Sequence, residues 1–173
     1  TDPGKGRRDY EAAHLPGAMF VDADRDLVAA DGPGRHPLPS PADFVVRMEG
    51  IGIGDDSVVV AYDDAGGTIA ARLWWMLDDL GHRNVRVLDG GIGAWVAAGG
   101  PLTREVPAPR PGRLSLRSSW TRVIDREALV ARLLEGDVTL LDARAPERYR
   151  GEVEPVDPVP GHVPGARSHP SAN

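Results

Sequence analysis

Val138-Thr-Leu-Leu-Asp-Ala-Arg-Ala-Pro-Glu-Arg-Tyr-Arg-Gly151 opens with four apolar or β-branched residues and reaches Asp142. That pattern predicts a short buried strand. In a parallel α/β sheet, chemistry collects at the carboxyl ends of strands. Asp142, Arg144 and Arg148 therefore stand where an anion would be handled. The stretch leads on to Gly161-His-Val-Pro-Gly-Ala166. A related signature lies near the other end of the chain. Arg8-Asp-Tyr10, followed by His14-Leu-Pro-Gly-Ala18, parallels Arg148-Tyr149 followed by His162-Val-Pro-Gly-Ala166. A motif recurring at that distance predicts two related domains in tandem.

Between the two signatures, strand and helix patterns alternate. Ala18 to Val21 is a candidate strand, and Asp22 to Pro41 reads as a long surface loop around Gly32-Pro33-Gly34. Ser40 is an N-cap with Pro41 at the first helical position, which starts a helix that runs to Gly50. Ser57 to Tyr62 is an apolar run that suits a strand buried on both faces. Thr68 to Leu80 is a strong helix with Ile69, Leu73, Trp74, Met76, Leu77 and Leu80 on a wide apolar face, stopped by Gly81. Asn84 to Leu88 is a further strand, and Asp89-Gly-Gly91 turns it into a short helix through Trp95. Pro101 to Pro111 has extended, polyproline character. Leu114 to Val123 is another candidate strand, and Asp125 caps a helix over 126–134. Strands joined by helical crossovers imply parallel βαβ units. The fold class is α/β: a small parallel sheet with helices on both faces, followed by the beginning of a second such domain.

The bulk numbers narrow the function. The 173 residues carry a formal charge of −6 and are 41% hydrophobic. They hold no basic tract, which argues against a nucleic-acid partner. No apolar run approaches the roughly 20 residues of a membrane span, and the opening residues do not read as a signal peptide, although Thr1 could be an internal start. A cytoplasmic protein is expected. Lys5 is the only lysine, so the arginine excess reads as composition bias. The chain contains no cysteine, which removes disulfides, thiolate metal sites and any thiol nucleophile from these residues. Its five histidines show no metal-ligand spacing, and neither a metal nor a cofactor is expected.

The expected boundaries are a first domain over 1–105, a Pro-rich linker over 106–122 and the beginning of a second domain over 123–173. The internal repeat predicts cut ends. Asp9-Tyr10 lies too near the start for a matching strand to precede it. In the second copy, the counterpart of the Tyr62-Asp63 loop would fall about 40 residues beyond Asn173. The chain is thus expected to be an internal piece of a longer protein.

Tyr10-Glu-Ala-Ala-His-Leu-Pro-Gly-Ala18, Val58-Val-Val-Ala-Tyr-Asp63, Ala70-Ala-Arg-Leu-Trp-Trp-Met-Leu77, Gly81-His-Arg-Asn-Val-Arg-Val-Leu-Asp-Gly-Gly91 and Asp142-Ala-Arg…Arg148-Tyr-Arg-Gly151 occur in order. Together they resemble the tandem rhodanese family of thiosulfate and 3-mercaptopyruvate sulfurtransferases. The resemblance implies a silent first domain and a catalytic second one. In the second, a cysteine at a helix N-terminus takes a sulfane sulfur from a small anionic donor such as thiosulfate. It then passes the sulfur to a thiophilic acceptor such as cyanide or a thiol. The parent would be a monomer.

Carried over by residue, the resemblance places Asp63 at the cysteine position of the silent loop. A carboxylate there would repel an anionic donor. Arg148 matches the arginine that binds the donor's anionic group. Asp142 and Arg144 are second candidates for substrate binding, and a structural ion pair is their other reading. Arg148 bridging to Asp142 or Glu152 is the structural alternative for that residue. Some mercaptopyruvate enzymes carry an arginine shortly after a Glu-Pro. Here Val156-Asp157 follows Glu154-Pro155, which tilts the reading toward thiosulfate. A 3-mercaptopyruvate sulfurtransferase, a non-catalytic binding or regulatory module, and a Cys-dependent phosphatase are the alternatives. His14 and His162 are read as turn-stabilising, and at least one of Trp74 and Trp75 as core. Gly90-Gly91 is a weak phosphate-loop signal.

Overall fold

The computed structural model describes residue 2 and residues 4–32 and 34–171. The chain divides into two compact units, Thr1–Arg122 and Val123–Asn173. The first contains α1 (Lys5–Ala12), α2 (Ala23–Asp26), α3 (Pro41–Gly50), β1 (Val59–Ala61), α4 (Thr68–Leu80), β2 (Val85–Val87) and α5 (Gly91–Ala97). The second contains α6 (Arg126–Glu135), β3 (Leu141–Asp142), α7 (Pro146–Arg150) and β4 (Arg167–Ser168).

In the first unit, β1 and β2 pair in parallel, with Val60 opposite Arg86. α4 is the crossover between them and follows the predicted bounds. Of its expected apolar face, Leu73, Met76, Leu77 and Leu80 are buried in a core shared with Phe44 and Met48 of α3 and Val85 of β2, whereas Ile69 and Trp74 lie at its edge and stay exposed. Burying each large apolar side chain contributes roughly 1.5–3 kcal/mol. Gly81 ends the helix at φ 111°, a left-handed conformation that glycine adopts without strain. α3 also starts as its sequence dictates. Ser40 Oγ accepts the Asp43 N–H at 3.1 Å, and Pro41 stands in the first turn.

Expectations for this unit are corrected in three places: the two candidate strands, the surface loop and β1. Residues 18–21 and 114–123 contain no strand. Leu114 is nevertheless buried in the core, and Trp120 packs beside it. Residues 106–122 lie within the first compact unit. Their backbone N–H groups find acceptors outside any ladder: Leu114 N–H donates to Glu49 Oε1 (2.8 Å), Ser115 N–H to Asp55 Oδ1 (2.6 Å) and Arg117 N–H to the Leu80 carbonyl (2.9 Å).

The surface loop over 22–41 is also more than a loop. α2 forms within it, capped by the Asp22 carboxylate, and Leu27 is fully buried. Arg72 donates to the carbonyls of Leu27 and His36, and Arg47 to those of Arg25, Asp26 and Val28. These arginines satisfy loop carbonyls that the core would otherwise strand.

The third correction concerns β1. Val58 and Val60 are 71% and 54% exposed, so the run is buried on one side only. Among the described residues β1 has one strand neighbour, and the row of side chains carrying Val58 and Val60 meets solvent.

In the second unit β3 and β4 pair in parallel, with Asp142 opposite Ser168. Asp125 caps α6 by accepting the Ala128 N–H at 2.8 Å, as the sequence predicts. Leu141 is exposed rather than buried, because β3 is two residues long and has a single neighbour in the described chain.

Candidate functional site

The loop after β1 places Asp63 at the N-terminus of α4. Its Oδ1 accepts from the N–H groups of Ala65 (3.0 Å) and Gly67 (2.8 Å). Its Oδ2 accepts from those of Ile69 and Ala70 (2.9 Å each). Gly66 and Gly67, at φ 69° and 87°, turn those N–H groups inward. Burial opposes the charge, but the four backbone donors outweigh it and hold the carboxyl below the usual range. The Asp63 carboxylate fills this amide cradle itself. Gly91 of the neighbouring turn packs against this loop. A Cβ there would lie 2.3 Å from the Asp63 carbonyl oxygen, to which Ile92 N–H donates at 3.2 Å. Gly91 serves this close approach, whereas a Cβ on Gly90 would meet that of Ala94 at 2.5 Å.

In the second unit, Asp142 ends β3 and Arg144 folds back onto it. Arg144 Nη2 and Nε lie 2.7 and 3.0 Å from the Asp142 oxygens, and the Arg144 backbone N–H donates to Oδ1 at 3.0 Å. The Arg144 bonds drive the Asp142 carboxyl down to about 2. Arg144 Nη1 also reaches Glu154 at 3.2 Å, and Nη2 donates to the Gly161 carbonyl.

Arg148 lies in the last turn of α7. Its Nη2 donates to Glu154 Oε1 at 2.7 Å and to Asp157 Oδ2 at 2.9 Å, and its Nε to Glu154 Oε2 at 3.3 Å. Backbone donation from Asp157 and the Arg148 bond hold the Glu154 carboxyl at about 2. Arg144 and Arg148 are thus brought together by Glu154, which stands out in the sequence only as half of a Glu-Pro pair and not as their partner. Neither of the bridges anticipated for Arg148 forms. Asp142 is taken by Arg144, and Glu152 by Arg150 at 2.7 Å. An acidic pair six and nine residues beyond Arg148, in a Pro-rich run without periodicity, carried no local signal.

The two signature motifs adopt one arrangement. Tyr10 stacks on His14 at 3.9 Å, its hydroxyl donates to the Ala18 carbonyl (2.7 Å), and His14 Nδ1 meets the Tyr10 carbonyl. Tyr149 stacks on His162 at 3.8 Å, its hydroxyl donates to the Ala166 carbonyl (2.8 Å), and His162 Nδ1 meets the Tyr149 carbonyl. Both histidines fasten a turn. Trp75 stacks on Trp120 at 5.7 Å, whereas Trp74 is partly exposed.

Among the described residues no group of three or more His, Asp or Glu side chains is placed to hold a metal ion. No helix among them is long and apolar enough to cross a membrane. Two open concavities of about 400 and 540 Å³ lie in the first unit, lined by residues such as His82 and Ser115 or Gly52 and Gly112, away from Asp63.

The sequence model for the rhodanese-like domain matches residues 5–98. A probable 3-mercaptopyruvate sulfurtransferase of Pseudomonas aeruginosa is 48% identical over 170 residues, covering 96% of this chain and 60% of that protein. A thiosulfate sulfurtransferase of Azotobacter vinelandii is 39% identical over 159 residues, covering 91% of this chain and 57% of that protein. The chain therefore spans about 60% of the length of the curated relatives it matches. The 3-mercaptopyruvate sulfurtransferase of Leishmania major superposes with a TM-score of 0.84 at 29% identity, covering 98% of this chain and 48% of that one.

Proposed function

Because the chain belongs to the rhodanese-like domain family, we propose that it is part of a sulfurtransferase of the thiosulfate:cyanide type. The first unit is the silent domain and the second the beginning of the catalytic one. The reading rests chiefly on Arg148, a guanidinium held beside the carboxyl end of a parallel strand, where a fork of donors suits an oxyanion. Asp142 and Arg144 form an ion pair whose arginine shares Glu154 with Arg148. A cysteine thiolate outside these 173 residues attacks the sulfane sulfur of thiosulfate. The S–S bond breaks, sulfite leaves, and a persulfide remains. Cyanide or a thiol then takes the terminal sulfur and the thiolate returns. Asp63 replaces such a thiolate in the first unit, where its carboxylate occupies the amide cradle.

A second reading is a 3-mercaptopyruvate sulfurtransferase, favoured by the name of the Pseudomonas relative. Against it stands Asp157, a carboxylate on Arg148 where a mercaptopyruvate site of the kind described above would have an arginine. The protein is proposed to act in the cytoplasm as a monomer.

Thiocyanate formation by the longer protein, measured with each donor, tests the reading. A kcat/KM higher with thiosulfate is expected, and a preference for 3-mercaptopyruvate selects the second reading. The 173-residue chain itself is expected to form no thiocyanate. Turnover by the purified chain would refute the assignment of the nucleophile outside it.

A further inference from the structure

Two guanidinium groups, Arg144 and Arg148, face three carboxylates, Asp142, Glu154 and Asp157, within one small unit. An anion that approaches Arg148 therefore meets an excess of negative charge. The three carboxylates are not equivalent. Asp142 belongs to Arg144. Glu154 has a side chain only 5% exposed, and it accepts from Arg144, from Arg148 and from the N–H groups of Val156 (3.1 Å) and Asp157 (2.9 Å). That many donors fix it in place. The Asp157 side chain is 38% exposed, touches Arg148 Nη2 at 2.9 Å and stands 3.9 Å from Arg144 Nη1.

We propose that the Asp157 carboxylate is an internal competitor for Arg148, which the anionic donor must displace, while Glu154 stays and positions the guanidinium. The proposal rests on the reading of Arg148 as the donor contact. An Nη nitrogen carries two N–H groups. At Nη2 one is given to Glu154 and the other to Asp157. A donor that grips the guanidinium from the side away from Glu154 needs the N–H that Asp157 holds. The Asp157 backbone is anchored through its N–H on Glu154, so the side chain turns out to solvent without moving the chain. Site occupancy is thereby set by exchange of one carboxylate for one oxyanion, and Asp157 determines how strong a donor must be to enter.

The test is a thiosulfate titration of the 173-residue chain and of its Asp157→Asn and Asp157→Ala variants. The readout is the Arg148 Nε–H resonance, assigned through its loss in Arg148→Lys. Both Asp157 variants are expected to bind about fivefold more tightly, the scale of one partly exposed ion pair. Arg148→Lys in the Asp157→Asn background is expected to remove the gain. If the resonance responds to thiosulfate but neither Asp157 variant tightens binding, the competition is overturned and Arg148 survives as the donor contact. If thiosulfate moves the resonance in none of the proteins, both readings fall. The Ala variant decides should the Asn variant keep a hydrogen bond to Nη2.

Discussion

Asp79 holds Thr121 at two points, accepting from its backbone N–H at 2.8 Å and from its Oγ1 at 2.6 Å. Arg122 Nε adds a third bond at 3.0 Å, and the Asp79 side chain is fully buried. This carboxylate, on the last turn of α4, closes residues 117–122 over the core of the first unit. Asp79→Ala leaves the Thr121 N–H and hydroxyl without their acceptor and removes one of the two carboxylates on Arg122, which keeps Asp78. The expected cost is about 2 kcal/mol, the scale of two part-buried hydrogen bonds to a charged acceptor. Urea unfolding of the chain measures it.

The same residue sets an acid response. Burial raises the Asp79 carboxyl, but the Thr121 and Arg122 bonds outweigh it and bring it to about 2. A carboxyl lowered on folding stabilises above its unfolded value of about 3.9. That contribution is lost as pH falls through this window toward 2. Asp79→Asn should therefore flatten the decline in stability of the first unit between about pH 4 and 2, relative to the unmodified chain. A variant with the same decline would place the acid sensitivity elsewhere.

Asp63 is expected to be an architectural anion. Asp63→Asn keeps one acceptor oxygen and turns an NH₂ toward two of the four N–H groups it now receives. The loop should loosen locally by about 1–2 kcal/mol. Amide exchange at two of Ala65, Gly67, Ile69 and Ala70 would quicken by at least tenfold, with the core amides of α4 unchanged. Uniform exchange at all four would show that the carboxylate does not organise the cradle.

Tyr10 and Tyr149 offer a matched pair. Each Tyr→Phe removes one hydroxyl-to-carbonyl bond and keeps the ring on its histidine. A cost of about 1 kcal/mol is expected for Tyr10→Phe, because its ring is buried and His14 is also tied to the Glu105 carbonyl. Tyr149→Phe should cost less, since His162 is exposed. Thermal unfolding of the two single variants compares them.

The parts legible in the sequence were those set by local chemistry. Ser40 and Pro41 announced α3, and the period of Leu73, Met76, Leu77 and Leu80 announced α4. The parts that were not legible depend on distant partners. Leu27 opens a short apolar run, Leu27-Val-Ala-Ala30, with no helical or strand period around it, and Arg47 and Arg72 satisfy the carbonyls that its burial draws in. Leu114 enters the core without a strand because Glu49 and Asp55 supply side-chain acceptors for the backbone around it. At the candidate site, Asp142, Arg144 and Arg148 stood out by type and place. Glu154 did not, since its role is to join two arginines that precede it by ten and six residues.

Gly91 gives the sharpest steric prediction. Its φ is 56°, and an added Cβ would meet the Asp63 carbonyl oxygen at 2.3 Å. That oxygen is backbone, fixed by Ile92 N–H on one side and by the Asp63 carboxylate cradle on the other. Neither partner yields cheaply, so the methyl group must push α5 away from the loop. Gly91→Ala is expected to destabilise the first unit by more than about 2 kcal/mol, above the roughly 1 kcal/mol that a left-handed conformation alone costs a non-glycine residue. Gly136, at φ 74° with nothing near its missing Cβ, is the control. Gly136→Ala should lose only the conformational part. Equal losses at the two sites would mean that the approach to Asp63 is not a constraint, and that Gly90-Gly91 is glycine for its turn alone.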